Sequence, residues 1–271
     1  MIKRLLNAIR PKKYLTATVT QIAPSHLLEG KNVVITGGGH GIGFYIAKKC
    51  ISEGAKVLIT GRNEDVLKKS SEILGKKCIY MVLDVQEVGC FNEFWITAAN
   101  ALNGKVHCFV SNAGVSLHEG EFRNVTEKGW DTQMNTNLKG NYFLVSEYIR
   151  YLEKQSDTAG NIVVITSERA KRADDIPYGL TKAATSSFIQ CIASKVIGEG
   201  IRINGVGPGV TASDMTGFDK TGNLYADNQP SKRVFMPEEV AEVVGFLLCD
   251  ASACISGEVI TCDQGRYITH W

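Results

Sequence analysis

Hydrophobic positions along the chain fall into two alternating patterns. Short runs that are apolar on both faces and rich in β-branched residues occur at 32–36 (NVVIT), 56–60 (KVLIT), 78–83 (CIYMVL), 106–111 (VHCFVS), 161–166 (NIVVIT), 201–206 (IRINGV) and 258–261 (EVIT). Longer segments with apolar residues three and four apart lie between them, as at 42–52, 63–74, 178–197 and 237–248. Strands with no polar face are covered on both sides, and helical segments between them serve as right-handed crossovers between parallel neighbours. The alternation predicts an α/β fold: one Rossmann-type doubly wound parallel sheet of about seven strands with helices on both faces. Such sheets take ligands beyond the carboxyl ends of their strands. The longest stretch without periodicity, about 208–236, is rich in Gly, Asp, Lys and Asn and reads as a lid.

Composition narrows this picture. With 271 residues, 44% of them hydrophobic, the chain can bury one large core, so a single domain over 29–271 is expected behind an arm at 1–28. The first 30 residues are basic: Lys3, Arg4, Arg10, Lys12 and Lys13 meet only Glu29. Ile2, Leu5, Leu6 and Ile9 are spaced for one helical face, so the arm reads either as a membrane-surface or partner-binding helix or as a segment packed on its own domain or a neighbouring subunit. The net charge of +2 gives no reason to expect nucleic acid as a partner. The eight cysteines form no C-x-x-C pair and mostly lie in apolar segments, which reads as reduced core residues of a cytosolic, cytoplasmic protein. The five histidines lack H-x-x-x-H spacing, so no metal site is expected. Nothing approaches 18 consecutive apolar residues, and no transmembrane helix is expected.

The first candidate chemistry is TGGGHGIG at 36–43, which follows the first strand and opens a helix. A helix amino terminus offers unpaired N–H groups and the positive end of its dipole. A pyrophosphate can sit there when no Cβ intervenes, which accounts for Gly37, Gly41 and Gly43, with Ile42 between them.

The spacing T-G-x-x-x-G-I-G resembles that of the short-chain dehydrogenase/reductase family, and later segments are similar too. Asp84-Val85 follows the third strand, where the family's Asp contacts adenine; Asn112-Ala113-Gly114 follows the fourth, like the family's N-A-G near the ribose. Asn137 in NTNLKG matches the catalytic-site Asn, Ser167 follows the fifth strand, Tyr178 and Lys182 stand in Y-G-L-T-K, and Pro208-Gly209 and SGEVITCDQG complete the series. The likeness runs over about residues 29–266 and implies hydride transfer between a nicotinamide cofactor and a carbonyl or alcohol substrate.

That transfer needs a proton donor or acceptor at the substrate oxygen. A free tyrosine, with a pKa of about 10, needs a neighbouring cation to serve as a base near neutrality. Tyr178 opens a helix, so Lys182, four residues on, shares its face and is expected to lower its pKa. By resemblance Lys182 also holds the nicotinamide ribose, Ser167 bonds the substrate oxygen, and Asn137 anchors a water linking the lysine to solvent. Ser167 stands 11 residues before Tyr178 where the family more often has 13, and Thr166 is the alternative hydroxyl. The charged loop between them (Glu168, Arg169, Lys171, Arg172, Asp174, Asp175) either shapes the pocket or is a solvated turn. The second Y-x-x-x-K, Tyr45/Lys49, reads as packing or surface.

Family members preferring NAD carry an acid at the end of the second strand. Here that position is Gly61, followed by Arg62, whose guanidinium suits a 2′-phosphate, so NADP(H) is the expected cofactor. His40 is either a second phosphate donor or a solvent-facing loop residue. After Pro208-Gly209, Thr211 and Ser213 stand where the family contacts the carboxamide of nicotinamide. On the substrate side, Met215, Phe218, Leu224 and Tyr225 of the lid stand beside Asp214, Lys220, Lys232 and Arg233, with Ser116, Leu117, His118 and Glu119 after the fourth strand. This mixture suits a carbonyl compound with polar groups, a sugar or polyol, or a carrier-bound oxoacyl chain. The competing reading is a non-catalytic NADP-binding sensor or scaffold. The resemblance also implies a homotetramer, or a homodimer, joined through helices near 127–154 and 178–197 and the last strand.

Overall fold

The computed structural model describes residues 13–267. Seven strands form one sheet in the order β3-β2-β1-β4-β5-β6-β7, every neighbouring pair parallel. They are β1 (Asn32–Thr36), β2 (Lys56–Gly61), β3 (Cys78–Val82), β4 (Cys108–Ser111), β5 (Gly160–Ile165), β6 (Ile201–Pro208) and β7 (Val259–Cys262). The helices are α1 (Gly41–Ser52), α2 (Glu64–Leu74), α3 (Phe91–Ala101), α4 (Glu127–Gln133), α5 (Asn141–Glu153), α6 (Pro177–Val196) and α7 (Pro237–Leu248). The expected doubly wound sheet is what the chain forms.

Alternate side chains of each strand enter opposite layers, because successive Cβ atoms leave a strand on opposite faces. Val34, Leu58, Phe109 and Ile162 pack with Trp95 of α3, Tyr148 of α5 and Ile189 of α6. Val33, Ile35, Val57, Ile59 and Val163 pack with Ile46 and Cys50 of α1 and Val240 and Val244 of α7. In the first layer Trp95 meets Phe109 edge to face at 4.9 Å and Tyr148 at 4.6 Å.

Several expectations are refined. The segment read as one helix over 127–154 breaks at a π-helical turn, Met134–Gly140, between α4 and α5. Cys90, Cys191 and Cys254 are exposed, whereas Cys50, Cys78, Cys108 and Cys249 are buried. The apolar setting of the exposed three misleads because they fall in the turn before α3, on the outer side of α6 and in the loop before β7. Lys49, of the second Y-x-x-x-K, is buried at the α1–α7 crossing, 2.9 Å from Glu53 and 2.8 Å from Glu242. Its partner Tyr45 instead lies under Lys220, 4.4 Å from the ring centroid.

The arm packs on its own domain over its described part. Leu224 N–H donates to Leu15 O (2.9 Å), Asn223 accepts from Leu15 N–H (3.0 Å) and donates to Lys13 O (3.0 Å), and Ala17 and Val19 cover a small cluster of Ala212, Leu224, Val234 and Met236. The proposed amphipathic face of Ile2, Leu5, Leu6 and Ile9 lies outside the described residues.

Candidate active site

The glycine loop and the N-A-G segment form a single unit at the carboxyl ends of β1 and β4. Gly37 and Gly41 have φ of 64° and 55°, the left-handed region that side chains disfavour. A Cβ at Gly43 would strike Gly37 O and Asn112 Nδ2, so this glycine permits close packing. Asn112 Nδ2 donates to Thr36 O (2.9 Å) and Gly37 O (3.1 Å). In return the Thr36 hydroxyl accepts the backbone N–H of Asn112 (3.0 Å) and Ala113 (3.1 Å). His40, exposed at the N-cap of α1, makes no side-chain cap bond, so first-turn N–H groups of the helix stay available to a ligand.

These elements line one end of a cleft of about 500 Å³ that runs across the strand ends. At that end lie Thr60, Gly61 and the exposed Arg62 after β2, and Leu83, Asp84 and Val85 after β3. Asp84 is held by accepting Gln86 N–H at 2.9 Å.

The other end gathers Ser167, Tyr178 and Lys182. Lys182 is buried and its Nζ donates to Ile165 O at 2.9 Å; loss of hydration lowers its pKa to about 8. Behind it Asn137 is fully buried within the π-helical turn. Its side chain accepts from Val115 N–H (2.8 Å) and donates to Val115 O (2.8 Å). The turn thus clamps the loop after β4, and π-turns recur at functional sites. Gly114 separates the two polar heads: a Cβ there would lie 3.3 Å from Asn137 Oδ1 and 3.6 Å from Lys182 Nζ.

Several groups act on the Tyr178 phenol. Burial raises the Tyr178 pKa, while the Ser167 hydroxyl and the Arg169 guanidinium pull it down. The Lys182 Nζ lies 5.7 Å from the ring centroid and donates to Ile165 O. The choice of hydroxyl is geometric. Both residues line the cleft, but the Thr166 Oγ1 is committed as a donor to Val206 O (3.3 Å), whereas the Ser167 Oγ only accepts Arg169 N–H (3.2 Å) and keeps its proton for a ligand. The loop 168–175 is no simple solvated turn, since Glu168 is buried against Arg266 (2.7 Å) and Asp174 against Arg169 (2.5 Å).

Of the residues singled out in the sequence, Gly37, His40, Gly41, Ile42, Arg62, Asp84, Val85, Asn112, Ala113, Gly114, Ser167, Tyr178, Lys182, Pro208, Gly209, Thr211 and Ser213 all line the cleft. Gly43 and Asn137 stand behind its wall. Thr60, Thr136 and Val210 line it without any sequence signal. Of the apolar lid residues only Met215 reaches it; Leu224 turns into the cluster under the arm, where Phe218 also packs. Met215 O lies 2.8 Å from His118 Nε2, which ties the lid to the loop after β4. Among the described residues no His, Cys, Asp and Glu cluster could hold a metal ion, and no helix is long and apolar enough to cross a membrane.

Comparison with known proteins agrees with this geometry. The family model described as enoyl-(acyl carrier protein) reductase matches residues 37–266. The chain belongs to the short-chain dehydrogenase/reductase family. It is 31% identical to 3-oxoacyl-(acyl-carrier-protein) reductase FabG of Chlamydia trachomatis, over 89% of this chain and 99% of that protein. It is 29% identical to versicolorin reductase stcU of Emericella nidulans, over 90% and 98%. Among solved structures, a short-chain type dehydrogenase/reductase from Mycobacterium ulcerans superposes with a TM-score of 0.81 at 27% identity, over 90% of this chain and 92% of that one. As a member of this family the chain is an oxidoreductase.

Proposed function

We propose that the protein is an NADP(H)-dependent oxidoreductase that interconverts a secondary alcohol and a carbonyl, with Tyr178 as the acid/base. The observation that carries this reading is the cleft itself, which has the glycine loop and Arg62 at one end and Ser167, Tyr178 and Lys182 at the other.

The residues fit the cofactor. The left-handed glycines leave backbone N–H groups bare for a pyrophosphate, and a Cβ at Gly43 would close the cradle. Arg62 supplies a planar fork for a 2′-phosphate where NAD-preferring relatives carry an acid. A bound nicotinamide supplies or accepts the hydride. The chain's own residues do the rest. Tyr178 gives its proton to the carbonyl oxygen or takes it from the alcohol, Ser167 bonds that oxygen, and Lys182 holds ribose hydroxyls. Asn137 fixes the loop carrying Val115 and, through it, the floor of the site. An NADP-binding sensor would need the first end of the cleft and no proton relay at the second.

We also read the exposed apolar surface of α5 and α6, with Tyr142, Phe143 and Leu180, as the contact of a homo-oligomer, a tetramer by family likeness. Equilibrium sedimentation giving a monomer at micromolar concentration would exclude it. For the main reading, NADPH and NADH are titrated into wild type and Tyr178→Phe, and absorbance loss is followed against ketones, steroids, sugars and oxoacyl thioesters. Tight NADPH binding by both proteins, weak NADH binding and turnover by wild type alone is the expected result. Equal use of NADH would refute the cofactor assignment, and undiminished turnover by Tyr178→Phe would refute the acid/base.

A further inference from the structure

The loop between β5 and α6 is built to hold one guanidinium beside the catalytic tyrosine. Asp174, only 3% exposed, accepts from Arg169 Nε at 2.5 Å and from Arg169 Nη2 at 2.6 Å. A third bond, from Ile176 N–H at 3.3 Å, orients the same carboxylate. Its space exists because the residue after Tyr178 is glycine: a Cβ at Gly179 would overlap the Asp174 carboxyl group. The fork therefore depends on a sequence feature inside the Y-x-x-x-K motif itself.

Held this way, the Arg169 guanidinium carbon lies 5.9 Å from the centroid of the Tyr178 ring, and Arg169 lines the cleft. The fork with Asp174 uses Nε and Nη2, and Nη1 has no hydrogen-bond acceptor among the described residues. Charge in the loop is not balanced at this point. Asp174 also faces Arg172 Nη2 at 3.5 Å, so one carboxylate serves two cations. The neighbouring acids reach other partners, Glu168 through one oxygen to Arg266, Asp175 to Phe122 N–H and Glu119 to Gln133, although Glu168 also lines the cleft and leaves its second oxygen without a partner. A pre-oriented cation that lines the same cleft as Tyr178 and keeps Nη1 free is an anion receptor, and charge-assisted bonds from a guanidinium suit a carboxylate.

We propose that Arg169 is a specificity-determining residue that receives a carboxylate of the substrate, so that the carbonyl compound handled here is an oxo acid. This rests on the oxidoreductase reading above and adds the substrate class to it. Asp174 is then a positioning residue, which keeps Arg169 from folding onto the tyrosine or out to solvent.

The test uses the full-length protein with NADPH and two probes of similar shape, acetoacetate and its neutral methyl ester. Wild type should favour the anion. Arg169→Gln should lose about 10- to 100-fold in kcat/KM on acetoacetate, mainly through KM, and stay within about 3-fold on the ester. Arg169→Lys should recover part of the loss, since it restores the charge without the fork. Because Arg169 also lowers the Tyr178 pKa, an effect acting only through the tyrosine would shift the pH profile for both probes alike, and that result overturns the proposal. So does a wild-type preference for the ester. The double variant Arg169→Gln/Asp174→Asn removes the buried carboxylate with its partner and guards against simple misfolding. A second arm separates this proposal from the oxidoreductase reading. Malonate, added with NADP⁺, should raise the melting temperature of wild type and not of the Arg169→Gln protein. An Arg169-dependent malonate shift without NADPH consumption by any carbonyl sinks the oxidoreductase reading alone, whereas consumption without that shift sinks the carboxylate receptor.

Discussion

Thr36 offers the sharpest test of how the sheet holds the site. It is the last residue of β1, fully buried, and its hydroxyl accepts two backbone N–H groups from the N-A-G segment, Asn112 at 3.0 Å and Ala113 at 3.1 Å. Thr36→Val keeps the branched shape and removes the acceptor. Both donors are half-buried at the cleft wall, so each should cost roughly 1–2 kcal/mol, toward the low end for an unsatisfied buried group. Their sum, about 2–4 kcal/mol, corresponds to a fall of about 4–16 °C in melting temperature for a domain of this size. Cofactor affinity should weaken as well, because the same bonds set the position of Ala113 and Gly114 against the glycine loop. Thr36→Ser retains the acceptor and should stay close to wild type in both measurements. Thermal melts by circular dichroism and NADPH fluorescence titration read the two effects. A Thr36→Val protein that melts within about 2 °C of wild type and binds NADPH equally would show that the strand-end hydroxyl does not organise the site.

Two further predictions concern the titrating lysine and the phosphate end. Burial holds Lys182 at about 8 against an ordinary value of 10.5, so the unfolded chain carries the extra proton between these values. Its contribution to stability therefore rises with pH across that window, and the full penalty, roughly 3 kcal/mol, applies below it. Lys182→Met should accordingly melt no lower than wild type at pH 7, lose that advantage as pH approaches 10.5, and turn over at least about 100-fold more slowly. Melting curves over this range decide it, and a variant that melts lower at pH 7 contradicts it. Arg62→Asp should reduce the NADPH-over-NADH preference by about 10-fold or more, because a carboxylate replaces a fork at the phosphate position; an unchanged ratio by fluorescence titration would place the phosphate elsewhere.

The parts of the molecule governed by local pattern were legible in the sequence. Short β-branched runs such as NVVIT and NIVVIT, apolar on both faces, read as interior parallel strands, and the glycine spacing at 36–43 leaves backbone that a ligand can approach. Spacing likewise brought Tyr178 and Lys182 to one face of α6. What the sequence did not disclose depends on distant partners. The π-turn around Asn137 forms where its side chain can grip Val115, 22 positions away, and no periodicity reports that. Burial of Lys49 follows from Glu242 on α7, although its spacing from Tyr45 looked like a surface or packing pair. Leu224 belongs to the lid stretch by sequence, yet it packs in the cluster that Ala17 and Val19 of the arm cover, a contact between segments far apart in the chain. The most instructive case is Tyr178. Sequence placed a cation four residues away, yet in the folded chain that cation points at Ile165 O and burial of the phenol dominates.

The central claim, that this cleft transfers a hydride with Tyr178 moving the proton, is tested most directly with NADPH deuterated at its transferable position. Wild type is incubated with the labelled cofactor and a panel of carbonyl compounds, and the alcohol products are examined by mass spectrometry. The account predicts one deuterium on the carbinol carbon with wild type, and none above background with Tyr178→Phe, although both proteins bind NADPH with the same affinity. Equal NADPH binding with no labelled alcohol from either protein across the panel would contradict it and favour an NADP-binding sensor.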